Sequence, residues 1–412
     1  MAPFPTAELP APTSASRRIH VVDALRGAAM LGIMLVNFPS MNTMAGDETT
    51  LYGGQSTALD RWVGGANMLL LNGKFYPIFA LLFGLGLFLF HRAGERTLRL
   101  AARRMLLLLG LGLVHVTLVW WGDILVVYAV LGLVALPCLR WSPRRLLAVA
   151  LALLVLLPAL SPLLGVLDHL GVLAADRAVH PGLGLTLPSP EAAAATYAHG
   201  TFAEMLRQRY LDWLSDFTPF AAAEVSLGAL LGYGAYYAQL LGLFLAGIWA
   251  GKRGLHESLP SDRRRTLRAW WVVVPIAAVL TGLRMALPDL RLGLSYFQGN
   301  ALALAYVLSF VLLFGSSSPV RRGFEAVGRL SLTAYLAHTT FASLVLYGTG
   351  LGLYGRIGPA ALLPISVAFY ALVAWGCVAW LGRLQIGPVE WVWRSLLYGR
   401  PLPMRRRGAE AG

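Results

Sequence analysis

RRMLLLLGLGLVHVTLVWWGDILVVYAVLGL, residues 103–133, is the stretch whose reading decides the fold. Two arginines open it, an apolar run follows, and a second apolar run starts after the polar break at Gly122 and Asp123. A hydrocarbon core of about 30 Å takes roughly 20 apolar residues to cross as a helix. The stretch therefore reads as two membrane-crossing helices joined by a tight outer hairpin, with Trp120 and Trp121 in the interfacial aromatic belt.

The same rhythm extends in both directions. Candidate spans lie at residues 21–40, 74–91, 105–121, 122–139, 146–166, 225–250, 269–287, 299–315, 330–349 and 359–382. Composition agrees: 57% of residues are hydrophobic and 13% charged, and the mean hydropathy is +0.64, far from the balance of a soluble domain. The expected fold class is all-α, a polytopic integral membrane bundle of about ten transmembrane helices whose first partner is the lipid bilayer.

The net charge of +14 would suggest a nucleic-acid partner in a soluble chain, but its placement points to topology, and no nucleic acid is expected. Lys and Arg gather in alternate segments, at 92–104, 140–145, 252–268, 321–329 and 383–407. The positive-inside rule then puts both termini in the cytoplasm of a multi-pass protein of the bacterial inner membrane. Residues 1–18 read as a disordered tail, 19–400 as the transmembrane domain, 167–224 as an external insert helical over 191–220, and 401–412 as a basic tail. The loop over 41–73 reads as a polar connector or lid. Cys138 and Cys377 offer neither a disulfide framework nor a metal cluster, so no metal site is expected.

Polar residues inside these spans are costly in lipid and mark candidate function. Asp23, Arg26 and Asn37 fall on one helical face, as a cavity wall or as an Asp23–Arg26 pair that orients the helix. His115 lies near the outer end of its span, where an imidazole needs a partner and can serve as a base. Asp123 opens the next span as an N-cap. It is eight residues from His115, about 12 Å along a continuous helix, so the two meet only if the hairpin folds back. Ser331, Tyr335, His338 and Ala342 form a second seam, with Thr339 alongside; Ser331 and Thr333 also suit helix packing. Tyr233, Tyr236 and Gln239 offer a weaker third wall. Glycines at 83–86, 110–112 and 228–234 sit in apolar helices, where close packing explains them better than a nucleotide loop.

At these residues the chain resembles a family. RIHVVDALRGAAMLGIMLVNFPS, KFYPIFALLFGLGLFLF, the opening string above, GRLSLTAYLAHTTFASLVLYGTGLGLYG and the closing IGPVEWVWRSLLYGR are similar to the YeiB-like bacterial membrane proteins of the DUF418 family. The likeness runs from about Arg18 to Arg400. DALRGAAMLGIMLVN also resembles, more distantly, the first span of heparan-glucosaminide N-acetyltransferases and membrane O-acyltransferases. That wider resemblance implies acyl transfer from a cytoplasmic thioester, with a His activating the acceptor. Those acetyltransferases carry their His in the loop after span one, whereas residues 39–73 here contain none, which leaves His115 or His338.

The expected function is a membrane acyltransferase with acyl-CoA as a donor substrate, no covalently bound cofactor, and an envelope glycan or lipid as acceptor. Arg26 and Asn37 would line the donor path, with Tyr335 and Ser331 on the substrate side, and Asp123 would orient a His or bind the acceptor. A small-solute transporter or exporter, and a noncatalytic envelope component, are the competing classes. For the topology, a C-terminal green fluorescent protein fusion should fluoresce and a C-terminal alkaline phosphatase fusion should be inactive; the opposite pattern would put that terminus outside.

Overall fold

The computed structural model describes residues 20–42, 57–92, 98–169, 178–222, 224–287, 290–314 and 318–405. The tail at 1–18 and the end of the basic tail, 406–412, lie outside the described residues. In chain order the helices are α1 (His20–Met41), α2 (Ala58–Leu70), α3 (Phe75–Arg92), α4 (Leu98–Leu118), α5 (Leu125–Ala135), α6 (Pro143–His169), α7 (Pro190–His199) and α8 (Phe202–Phe217). They continue with α9 (Leu227–Lys252), α10 (Leu255–Ser261), α11 (Arg263–Ala286), α12 (Arg291–Phe314), α13 (Pro319–Arg329), α14 (Ser331–Leu346), α15 (Pro359–Arg383) and α16 (Pro388–Tyr398). A two-stranded antiparallel ribbon pairs β1 (Ala178–Pro181) with β2 (Glu224–Ser226), His180 opposite Val225.

The chain is a polytopic helical membrane protein. Among the described residues, eight helical stretches are long and apolar enough to cross a bilayer, and every expected span falls on a helix. Two are short: α5 has 11 residues and α14 has 16, about 16 Å and 24 Å at the α-helical rise. A short helix in a dry setting carries a large share of unsatisfied end groups, and in both the N-terminal end is closed by a carboxylate. Asp123 closes α5 by accepting from Val126 N at 3.0 Å. Glu390 of α16 closes α14 by accepting from Leu332 N at 2.9 Å and Thr333 N at 3.0 Å.

The second half of the expected 41–73 connector is instead helical. Thr57 and Asp60 form a reciprocal capping box that starts α2, and Asp60 also accepts from Ala360 N at 3.0 Å in the first turn of α15. Asn67 donates to Leu35 O at 2.7 Å on α1. Polar side chains that read as a solvated loop thus act as joints between helices.

Helix α9 packs along both α3 and α6, α1 along α13, and α11 along α12. A Cβ at Gly84 would collide with the Phe244 carbonyl, and one at Gly247 with the Leu81 carbonyl, so backbone meets backbone between α3 and α9. Gly27 against Phe324 and Gly328 against Asp23 do the same between α1 and α13. The packing explanation holds at Gly84 and Gly112, whereas Gly110, Gly232 and Gly234 meet nothing within 4 Å.

The insert contains the expected helical part as α7 and α8; the ribbon at its base has strands of four and three residues, too short to leave a periodic signal. Arg209 of α8, only 1% exposed, donates to Leu118 O at 2.7 Å, placing a cation on the last carbonyls of α4, where the helix dipole favours it. Tyr233 of α9 donates to Ser215 O at 2.5 Å and ties the other end of α8 down.

Gly328→Leu should destabilise the protein in detergent by about 3 kcal/mol, at the upper end of overpacking costs, because the side chain has only the Asp23 backbone to push against. Gly110→Leu, facing open space, should leave the thermal melt unchanged; equal melting of the two variants would show that α1 and α13 do not touch this closely.

Candidate active site

His115 lies in the last turn of α4, which ends at Leu118, and its carbonyl accepts from both Val119 N at 2.9 Å and Trp120 N at 3.1 Å. The chain then folds back through Trp120, Trp121 and Gly122. The fold-back brings Asp123 Oδ1 to 2.9 Å from His115 Nδ1, with both side chains at most 1% exposed; the two atoms are in polar contact at an angle that departs from a linear hydrogen bond. Gly112, one turn before His115, makes the approach feasible: a Cβ there would sit 2.7 Å from Val126 N and 3.1 Å from Asp123 Oδ2. The separation along the sequence therefore does not keep the pair apart; the N-cap residue of α5 is Ile124 rather than Asp123, yet one carboxylate oxygen of Asp123 takes Val126 N in the first turn and the other faces His115.

Helix α14 completes the cluster through residues four apart, which lie on one face. Tyr335 donates its hydroxyl to Asp123 Oδ1 at 3.2 Å. Thr339 Oγ1 lies 2.8 Å from His115 Nε2 and also 3.0 Å from Tyr335 O. Ser343 donates to Val119 O at 2.8 Å. The working stripe is thus 335, 339 and 343, shifted from the expected seam of Ser331, Tyr335, His338 and Ala342. A strict four-residue count from Tyr335 points to Thr339 and Ser343.

His338 turns to α1 instead. Its Nε2 lies 3.1 Å from Asn37 Nδ2, its ring stacks near Phe38 with centroids 6.2 Å apart, and its Nδ1 is buried with no hydrogen-bond partner. The rings of His115 and Tyr335, and of Tyr335 and His338, lie 5.2 Å and 5.3 Å apart, so the two histidines flank one tyrosine. The structure therefore brings together His115, Asp123, Tyr335, His338 and Asn37 from α1, the α4–α5 hairpin and α14.

Asp23 and Arg26 stand elsewhere. They pair with each other at 2.9 Å, about 16 Å along α1 from Asn37, which is the helix-orienting arrangement rather than a continuous wall. Ser331 opens α14 a turn before Tyr335 and makes none of the contacts within the cluster. Gln239 belongs to a separate polar node, accepting from Tyr76 at 3.2 Å and donating to Asn300 at 2.9 Å. A cavity of about 420 Å³ between α11 and α12, lined by Trp270, Thr281, Tyr306 and Ser309, and one of about 210 Å³ beside Val63, Asn67 and Leu363, have no cluster residue in their walls. Glu390, which caps α14, and Arg209, which caps α4, are supporting residues that the sequence pattern alone did not single out.

Chemically, Asp123 is held as an acceptor by Val126 N–H and the Tyr335 hydroxyl. An acceptor carboxylate favours the His115 tautomer with the proton on Nδ1, leaving Nε2 as a base toward the Thr339 hydroxyl. Among the described residues no group of three His, Cys, Asp or Glu side chains converges as a metal site.

Above the hairpin, Asp212 of α8 accepts from Tyr197 at 2.6 Å and Gln208 at 2.8 Å. Burial holds its carboxyl above the usual value of 3.8, against the pull of those two hydrogen bonds. A raised folded-state value means that stability is full below 3.8 and lost as pH rises through the folded-state value. Proteolytic protection of α8 should therefore weaken as pH climbs from 3.8 through the folded-state value and level off beyond it, and Asp212→Asn should flatten the dependence; an unchanged slope in that variant would assign it to another group.

Residues 250–400 match the family model described as a protein of unknown function, DUF418. That segment contains α14, with Tyr335, His338 and Thr339, and the capping Glu390, but not the α4–α5 hairpin. The whole chain is similar to the protein YxaH of Bacillus subtilis, 31% identical over 94% of this chain and 96% of that one. It is also similar to the protein YeiB of Escherichia coli, 28% identical over 91% and 95% respectively. A protein encoded in the amylase 3′ region of Bacillus acidopullulyticus is 26% identical over 95% and 97%.

Proposed function

The chain belongs to the YeiB-like DUF418 family, and from that premise we propose that it is an acyltransferase of the bacterial inner membrane, with both termini in the cytoplasm. It moves an acyl group from a cytoplasmic thioester, acyl-CoA, to a hydroxyl or amine of an envelope glycan or lipid. The observation that carries this reading is the buried contact of 2.9 Å between Asp123 and His115, a base with its orienting carboxylate in a dry setting. Proton abstraction by such a base is worth roughly 10²–10⁴ in rate.

In this reading His115 Nε2 receives the proton, and Asp123 holds the ring and offsets the charge that develops on it. Tyr335 keeps Asp123 in place. His338, poised by Asn37, supplies a further polar group beside the same tyrosine. The basic cytoplasmic segments attract the anionic donor, and α8, fixed to the end of α4 through Arg209, roofs the acceptor side. Arg26 keeps its partner Asp23 and stands apart from the reacting groups.

In proteoliposomes supplied with acyl-CoA and extracted envelope glycolipid, the wild-type protein should release CoA, and His115→Ala and Asp123→Asn should each lower the rate by about 100-fold or more. His338→Ala should have the smaller effect. Wild-type rates in both hairpin variants would overturn the assignment of the base. Solute counterflow without any CoA release would favour the transport reading.

A further inference from the structure

Asp123, His115 and Thr339 are in successive contact. Asp123 Oδ1 is 2.9 Å from His115 Nδ1, and His115 Nε2 is 2.8 Å from Thr339 Oγ1. All three residues are at most 2% exposed. This is the order of contacts, carboxylate to one imidazole nitrogen and hydroxyl to the other, that activates an alcohol as a nucleophile. Thr339 Oγ1 can also donate to its own helix, at Tyr335 O 3.0 Å and Leu336 O 3.2 Å away, so its single proton turns from these carbonyls to His115 Nε2 when the alcohol is activated; the contact to a second helix's histidine is the additional feature.

We propose that Thr339 is the nucleophile of a two-step transfer and carries the acyl group as an ester between donor and acceptor. The inference rests on the acyl-transfer reading above and deepens it. In the first step the Thr339 Oγ1 proton passes to His115 Nε2 as the oxygen attacks the thioester carbonyl. The tetrahedral intermediate collapses, the C–S bond breaks, and the departing thiolate takes the proton from His115. In the second step the acceptor hydroxyl or amine gives its proton to His115 and attacks the threonyl ester. The ester C–O bond breaks, and Thr339 recovers its proton from His115.

His338, the residue before Thr339, is fully buried and faces α1, with Asn37 Nδ2 donating to its Nε2, so it lines the neighbouring face of the same helix turn.

The test uses the full-length protein in nanodiscs with a fluorophosphonate probe, which phosphonylates activated hydroxyls with loss of fluoride and needs no knowledge of the natural acyl chain. Peptide mass mapping should place the adduct on Thr339. Labelling should persist in Thr339→Ser, vanish in the isosteric Thr339→Val, and slow by about 100-fold or more in His115→Ala. Thermal melts of Thr339→Val and Thr339→Ser matching the wild type would show that loss of labelling is not loss of fold. The CoA-release assay separates the two levels. Wild-type CoA release by Thr339→Val means direct transfer, overturning the threonyl ester while the acyltransferase reading stands. Absence of both labelling and CoA release in the wild type overturns both.

Discussion

The carboxylate of Asp123 is the joint on which α4, α5 and α14 are assembled. It is fully buried in a setting where an unsatisfied polar group costs several kcal/mol, and it is tolerated because three groups from separate places converge on it. Val126 N–H belongs to the first turn of α5, the Tyr335 hydroxyl comes from α14, and His115 comes from α4. Each fixes a different relation: where α5 begins, where α14 lies against the hairpin, and how far the chain folds back. Gly112 is the steric condition for the arrangement, since a side chain there would occupy the space of Val126 N and Asp123 Oδ2.

The position of α14 is fixed at both ends by polar bonds to other helices. Glu390 of α16 closes its N-terminus, and Tyr335, Thr339 and Ser343 lace its length to the hairpin. Helix α16 belongs to the basic C-terminal part of the chain, at the opposite end of α14 from Ser343. A displacement of α16 would therefore be felt as a displacement of Tyr335 relative to Asp123. The matched DUF418 segment includes both the capping carboxylate and the stripe it positions.

The spans were legible because hydrophobic length has a direct physical meaning in a bilayer. All ten fell on helices, including α5 and α14, which are shorter than a lone crossing helix needs. Asp123, His115, Tyr335, His338 and Asn37 were legible as expensive interruptions of apolar runs. What the sequence could not convey was pairing. Eight residues separate His115 from Asp123 whether the intervening chain is helix or hairpin, and only the fold-back decides that they touch. Thr339 was set beside the seam without a role for a related reason: a threonine in a membrane helix already has a local partner in the carbonyl four residues back, so its bond to a second helix leaves no trace in composition. Glu390 and Arg209 lie in segments whose charge reads as topology, and their capping roles depend on which helix end comes within reach.

The same dryness that makes Asp123 expensive makes it effective. Attraction between a carboxylate and an imidazolium at 2.9 Å is far stronger in a low-dielectric interior than in water. A proton arriving at His115 Nε2 therefore creates a charge whose counter-charge is already in place and already hydrogen-bonded, so little rearrangement is needed as it forms. Arg26 cannot contribute in the same way: its guanidinium is engaged with Asp23, and about 16 Å of helix separates it from Asn37. The paired charges near the start of α1 and the carboxylate at the α4–α5 hairpin thus divide two tasks that looked alike in the sequence. One orients a helix, and the other leaves a negative charge beside an imidazole, the electrostatic condition for a base.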